Sequence, residues 1–277
     1  MSPIVQDLPL WATIDPKSLP TMHDLPSEDP EEPGLPDEFH GLQPQLLAES
    51  LSLKNYSRSE VFSAFDLNIY YDPKHTGWYK RPDWFLVVGG SRLYQGQTSR
   101  SSYVMWDEKI APVVVVEFLS PGTEADDLGP FAEKPMRDRA GKPPGKFMVY
   151  EQILRVPNYI VFDSETLQLR YFRLLNGRYQ EQTVSPMNPR LWVPELNLGL
   201  GLWRGEYRDL PYCWLRWCDD QGNWIPTGLE MERSAKEMER AAKEMERAAK
   251  EMERAERQKL AAYLRSIGID PENLPPV

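Results

Sequence analysis

Pro112-Val113-Val114-Val115-Val116-Glu117-Phe118-Leu119 is an apolar run broken by a single carboxylate. A run so short, so continuously apolar and so rich in β-branched residues reads as a strand buried on both faces. A carboxylate near its end is costly to bury unless it is paired or binds a metal. Glu117 is therefore a candidate functional residue.

Upstream, Arg81-Pro82-Asp83 leads into a second apolar strand, Trp84 to Val88, which Gly89-Gly90 stops. Val61 to Tyr71, rich in Phe, Ile and Tyr, reads as one further strand ending at Asp72-Pro73. Downstream, Asn158 to Asp163 and Leu167 to Leu174 are strands, and Asn176-Gly177 is a hairpin turn into Arg178 to Thr183. Two helices fit between and before these. Residues 39–53 place Leu46, Leu47 and Leu51 on one face, and residues 146–154 do the same with Phe147, Tyr150, Ile153 and Leu154. Strand, strand, strand, helix, strand predicts a mixed α/β sheet flanked by helices.

The ends of the chain differ from this core. Residues 1–38 are rich in Pro and acid and predict an extended segment. Residues 39–228 form the predicted α/β domain. Residues 229–277 form a charged heptad-repeat helix and tail. There Lys-Glu-Met-Glu-Arg-Ala-Ala starts at Lys236, repeats at Lys243 and recurs with a changed end at Lys250, so Met238, Met245 and Met252 stand seven apart. This seam of Met and Ala permits either a coiled-coil dimer or a solvated single helix. Gly268 and Asp270-Pro271 stop the helix.

The 277 residues carry a formal net charge of −10. Nine acids and one base in residues 1–40 account for most of it, and residues 41–229 are nearly balanced with 22 acids and 21 bases. A balanced domain can hold a polyanion in a local basic groove, but its bulk charge does not demand one. Cys213 and Cys218 cannot build a four-ligand zinc site alone, and His23, His40 and His75 are scattered, so two reduced packing cysteines are expected. No apolar run approaches the ~20 residues of a membrane span, and no basic-then-apolar leader opens the sequence. A cytoplasmic protein without membrane contact is expected.

Two carboxylates on neighbouring strands can share a hard divalent ion, which prefers oxygen ligands. Such an ion can activate water and stabilise charge on a phosphate. A nearby lysine would assist. Read without further help, Asp83 can equally cap a turn, Glu117 can pair with an arginine, and Lys146 can be a solvated residue at a helix start.

The ordered set Pro82-Asp83, Glu117 before Phe-Leu-Ser-Pro-Gly-Thr123, Lys146 four residues before Tyr150, and Val156-Pro-Asn-Tyr-Ile-Val-Phe-Asp163 resembles the Uma family of predicted restriction endonucleases. That family is abundant in cyanobacteria and belongs to the PD-(D/E)XK nuclease superfamily. The resemblance covers about residues 40–205. It implies a restriction-endonuclease-like fold, with Asp83 and Glu117 binding Mg²⁺ and Lys146 completing the catalytic set. The superfamily's lysine normally stands two residues after the Glu, where this chain has Leu119. In the Uma family it stands on the next helix before a tyrosine, which selects Lys146; Lys134 is the rival.

Asp127 matches an acid common in the family after Ser-Pro-x-Thr, and reads either as support for the metal or lysine or as a solvated loop acid. Glu49 reads as an exposed helix acid or one facing the site. Asp66 reads as a turn acid or a supporting group. Residues 124–145 form a long charged loop whose Arg137, Arg139 and Lys142 are candidates to touch phosphates. The Trp203 to Trp224 region is either a base-stacking surface or packed core.

The function implied is Mg²⁺-dependent hydrolysis of DNA phosphodiesters, with DNA as partner and homodimerisation possible through the domain or the terminal helix. The alternative is an inactive scaffold or a nucleic-acid-binding protein that assembles through that helix.

Overall fold

The computed structural model describes residues 37–120, 122–135, 141–268 and 270. The Pro/acid-rich segment up to residue 36, and Arg137 and Arg139, lie outside the described residues. The chain divides into two compact units, Met1–Ile225 and Pro226–Val277.

The first unit opens with α1 (Glu38–Glu49), whose N-cap Asp37 accepts a hydrogen bond from the backbone N–H of His40. The strands then follow in chain order: β1 (Val61–Ala64), β2 (Ile69–Tyr70), β3 (Tyr79–Lys80), β4 (Trp84–Val88), β5 (Tyr103–Val104), β6 (Val114–Phe118), β7 (Asn158–Asp163), β8 (Gln168–Leu175), β9 (Arg178–Gln182), β10 (Arg190–Val193), β11 (Leu198–Tyr207) and β12 (Leu210–Cys218). Between β6 and β7 lies α2, which begins as α-helix at Lys146–Met148 and widens to a π turn over Val149–Ile153.

The central sheet has six strands in the order β1-β4-β6-β7-β8-β9. Its one parallel pair is β6 with β7, and every other neighbour is antiparallel. The sheet is mixed, as expected. β10, β11 and β12 form a second, antiparallel sheet, and β3, β2 and β5 form a small third one.

Strand alternation sorts the central sheet into two apolar faces. On one face Trp84, Leu86, Val114, Val116 and Phe118 meet Leu46 and Leu47 of α1 and Trp214 and Trp217 of β12. On the other, Phe85, Val87 and Val115 meet Phe147 and Tyr150 of α2, with Tyr159 and Phe172. Each fully buried side chain of this kind contributes about 1.5–3 kcal/mol. α1 is fastened to β12 by Gln43, whose amide donates to the Leu215 carbonyl at 2.8 Å and accepts from its N–H at 2.7 Å.

The stretch Val61 to Tyr71 corrects the one-strand expectation. It breaks into β1 and β2, in different sheets, because Asp66 between them sits in the left-handed region at φ 51°. Aspartate tolerates that conformation better than most residues, and it turns the chain out of the central sheet. The loop expected over residues 124–145 also carries structure, a helical turn at Glu124–Leu128 followed by a 3₁₀ turn at Gly129–Phe131.

The second unit contains α3 (Gly228–Ser266), 39 residues long and about 58 Å at 1.5 Å per residue. A reciprocal cap of Thr227 and Glu230 starts it. No helix among the described residues is long and apolar enough to cross a membrane.

Candidate active site

Alternation places Asp83 and Glu117 on the same sheet face. β4 and β6 pair with Trp84 opposite Val116, so the next residues outward, Asp83 and Glu117, stand opposite each other at the end of the ladder. There side chains take over from the backbone. The Asp83 N–H donates to Oε2 of Glu117 at 3.2 Å, and the Phe118 N–H donates to Oδ2 of Asp83.

Lys146, at the first turn of α2, reaches the same point. Its ammonium lies 3.0 Å from Oε2 of Glu117 and 3.0 Å from Oδ1 of Asp127. One turn on, the Tyr150 hydroxyl donates to Oε1 of Glu117 at 2.7 Å. π turns of the kind seen here are frequent at functional sites. The helix start is pinned by Asp126, which accepts from the Lys146 N–H at 2.9 Å and pairs with Lys80 at 3.2 Å.

The structure thus brings together Asp83, Glu117, Lys146 and Asp127. Glu117 and Asp127 are buried, whereas Asp83 and Lys146 are partly open to solvent. Asp127 is not a solvated loop acid: it is sealed beneath Lys146. Lys134 is exposed and makes no contact with Glu117 among the described residues. Glu49 instead pairs with Arg208 at 3.1 Å, while Asp66 lies 3.5 Å from Arg81 and donates its N–H to the Pro82 carbonyl at 3.1 Å, next to Asp83; both side chains are at the surface. Lys142 is exposed.

Burial dominates the electrostatics. It pushes the Glu117 carboxyl up to about 7, against the pull of the Lys146 ammonium and with added repulsion from Asp83. Burial lifts Asp127 to about 6, again opposed by Lys146. Asp83 is also raised, by burial first, while Lys146 and the Phe118 N–H work the other way; solvent on its open side tempers that burial. Burial acts against the Lys146 charge, but Asp127, Glu117 and Asp83 together overcome it and hold the lysine well above its ordinary value.

The donors suit a hard cation in kind: all are carboxylate oxygens. Oδ1 of Asp83 has no hydrogen-bond donor among the described residues, and the Asp127 oxygens have none in good alignment even though the ammonium is at ion-pair distance. No group of three or more His, Cys, Asp or Glu among the described residues is placed to hold a metal unaided. An ion here would draw its remaining ligands from water and substrate, which is how Mg²⁺ is commonly held.

Two features escaped the sequence reading. His40, one of three histidines scattered in the sequence, places Nδ1 2.7 Å from Oδ1 of Asp37 and Nε2 3.4 Å from the Phe118 carbonyl oxygen, within electrostatic reach of Asp83. The second is a groove of about 1390 Å³ lined by residues such as Asp163, Gln168, Glu181 and Trp203. It excludes Asp83, Glu117 and Lys146, but Asp163 ends β7, the strand parallel to β6, so the groove opens at the same end of the sheet. The groove is roomy, but the chemistry lies in the carboxylate cluster. Trp214 and Trp217 are packed core, while Trp203 and Trp224 lie partly exposed beneath the guanidinium groups of Arg216 and Arg190. Cys213 and Cys218 are buried free thiols.

Acids from adjacent strands of a mixed sheet, beside a lysine borne on a flanking helix, define this protein as an α/β protein with a carboxylate-lysine site. The profile of the Uma2 family, described as "Putative restriction endonuclease", matches residues 18–208, more than half of the chain. The chain belongs to the Uma2 family. Among solved structures, it is similar to a putative nuclease belonging to DUF820 from Anabaena variabilis, with 11% identity and a TM-score of 0.42 over 60% of this chain and 77% of that one. No curated protein matches.

Proposed function

We propose that this protein is a Mg²⁺-dependent endonuclease that hydrolyses DNA phosphodiesters at Asp83, Glu117 and Lys146. The observation that carries the reading is the meeting of Asp83 and Glu117 across the β4–β6 pair, with the Lys146 ammonium 3.0 Å from Glu117. Membership of a family described as a restriction endonuclease supports it. Asp83 and Glu117 would hold the cation, which when bound supplies Lewis-acid activation of water and charge stabilisation on the phosphate.

The chain's own groups have separate tasks. Asp83, partly open and held on Oδ2 by the Phe118 N–H, keeps Oδ1 available to a cation. Glu117 is oriented from both sides, by Tyr150 on Oε1 and by Lys146 and the Asp83 N–H on Oε2. Lys146 is kept protonated by three carboxylates, so it acts as a fixed positive charge that attracts the phosphate and orients the attacking water. Asp127 holds the lysine in place from below. DNA is the partner, and Lys142, exposed on the loop, is available to its backbone.

One observation favours the alternative of a non-catalytic scaffold: each Glu117 oxygen already has a partner within the protein. Plasmid nicking separates the two. The purified chain is expected to convert supercoiled plasmid to open circle with Mg²⁺ and not with EDTA, and Glu117→Ala is expected to lose this. Equal nicking by the variant, or none by the native chain with Mg²⁺ or Mn²⁺, rejects the nuclease reading.

A further inference from the structure

The helix α3 has no buried residue along its 39 positions. Met231, Met238, Met245 and Met252 lie seven apart on it and are between 54% and 74% exposed. At 3.6 residues per turn, Ala242 sits about 40° to one side of Met238 and Ala241 about 60° to the other. The pattern repeats at Met245 with Ala248 and Ala249. The result is an unbroken apolar stripe, about 100° wide and several turns long, of the kind that packs against another helix.

The borders of the stripe decide what can cover it. Glu239 and Glu237 lie about 100° to either side of Met238. With the repeat, one border is Glu232, Glu239, Glu246 and Glu253, and the other is Glu237, Glu244 and Glu251. Both borders are acidic, and the lysines and arginines from Arg233 to Arg257 are on the back of the helix. Lys236, Lys243, Lys250 and Arg257 pair within the helix to the first row at 2.6–2.8 Å. The second row has no ion pair among the described residues.

A second copy of this helix is a poor occupant. In either orientation its glutamate borders face glutamate borders, and like charges across a helix pair oppose association. Alanine on both sides of Met238 and of Met245 also leaves room that a Met/Ala partner does not fill.

We infer that this stripe is a docking surface for a cationic amphipathic helix of another protein, with large apolar side chains in its seam and Lys or Arg along both borders. Its large side chains occupy the space beside the alanines, and its cations meet the two glutamate rows. The inference is independent of the nuclease reading.

The test uses the full chain and two synthetic three-heptad peptides with the same leucine seam, one bordered by lysine and one by glutamate. Fluorescence anisotropy is expected to show saturable binding of the lysine-bordered peptide and none of the other. Met238→Glu/Met245→Glu/Met252→Glu should weaken binding at least tenfold, although it adds negative charge. Light scattering should give the same mass for the native chain and this variant. Equal binding of both peptides, binding of neither, or unchanged binding by the variant overturns the inference. So does a native oligomer that the triple substitution dissociates.

Discussion

Asp83 and Glu117 hold each other crosswise at the end of the β4–β6 ladder: the backbone of Asp83 donates to the Glu117 carboxylate, and the backbone that follows Glu117 donates to the Asp83 carboxylate. Each acid is therefore oriented by the other's strand. The two oxygens that matter depend on the register of one strand pair, and everything packed against Glu117 bears on that register.

Tyr150 is the donor to Oε1 of Glu117. In Tyr150→Phe that buried oxygen loses its partner at a cost of about 1–3 kcal/mol. A lowered thermal midpoint with at least a tenfold slower nicking rate is expected. A variant with native midpoint and native rate would show that the tyrosine does not orient Glu117.

Lys146→Met removes the ammonium that pairs with Glu117 and Asp127. Breaking a buried pair in this way costs about 3–5 kcal/mol. The loss should be larger at pH 8 than at pH 5, because at pH 5 the stranded carboxyls take up protons. Denaturant unfolding at the two pH values checks this; an equal loss at both would mean that the lysine does not neutralise these acids.

Gly129 stands at φ 52°, and a Cβ there would meet Cβ of Phe147 at 2.8 Å and its Cγ at 2.9 Å. Phe147 follows Lys146 on α2. Gly129→Ala therefore combines backbone strain with a clash, about 1–3 kcal/mol for each, and pushes on the turn that aims the lysine. Loss of both stability and nicking is expected. A variant with native melting and native rate would separate the 129–131 turn from the site.

For the metal-free protein, Glu117 at about 7 and Asp127 at about 6 both lie above their ordinary values. A raised carboxyl favours the folded state while protonated. That contribution is full below the unfolded values near 4 and fades as pH rises through 6 and 7. The unfolding midpoint in EDTA should therefore fall between pH 5 and pH 8, with a shallower fall in Glu117→Gln. Mg²⁺ should narrow the difference by favouring the ionised forms. An identical slope in native chain and variant would remove Glu117 from this account.

Much of the site was legible because a period of two is rigid. Once Trp84 to Val88 and Val114 to Phe118 are strands in register, Asp83 and Glu117 must share a face. Lys146 came from the family resemblance, since nothing local marks it. The family resemblance marked Asp127 but left it between a supporting acid and a solvated one, because its burial depends on Lys146, nineteen residues away. The β11–β12 hairpin was missed because its two-residue turn is Arg208-Asp209, both at positive φ, where Asn-Gly or Asp-Gly is the usual cue. That hairpin carries Trp214 and Trp217 beneath α1, which is why a run of aromatics that could have been a stacking surface is partly core.

Binding of Mn²⁺ to the intact protein, followed by electron paramagnetic resonance, tests the sharing of one divalent cation most directly. One ion per chain is expected for the native protein at neutral pH, with affinity reduced at least tenfold in both Asp83→Asn and Glu117→Gln. Native affinity in either variant would contradict the account, as would a native chain that leaves Mn²⁺ free in solution.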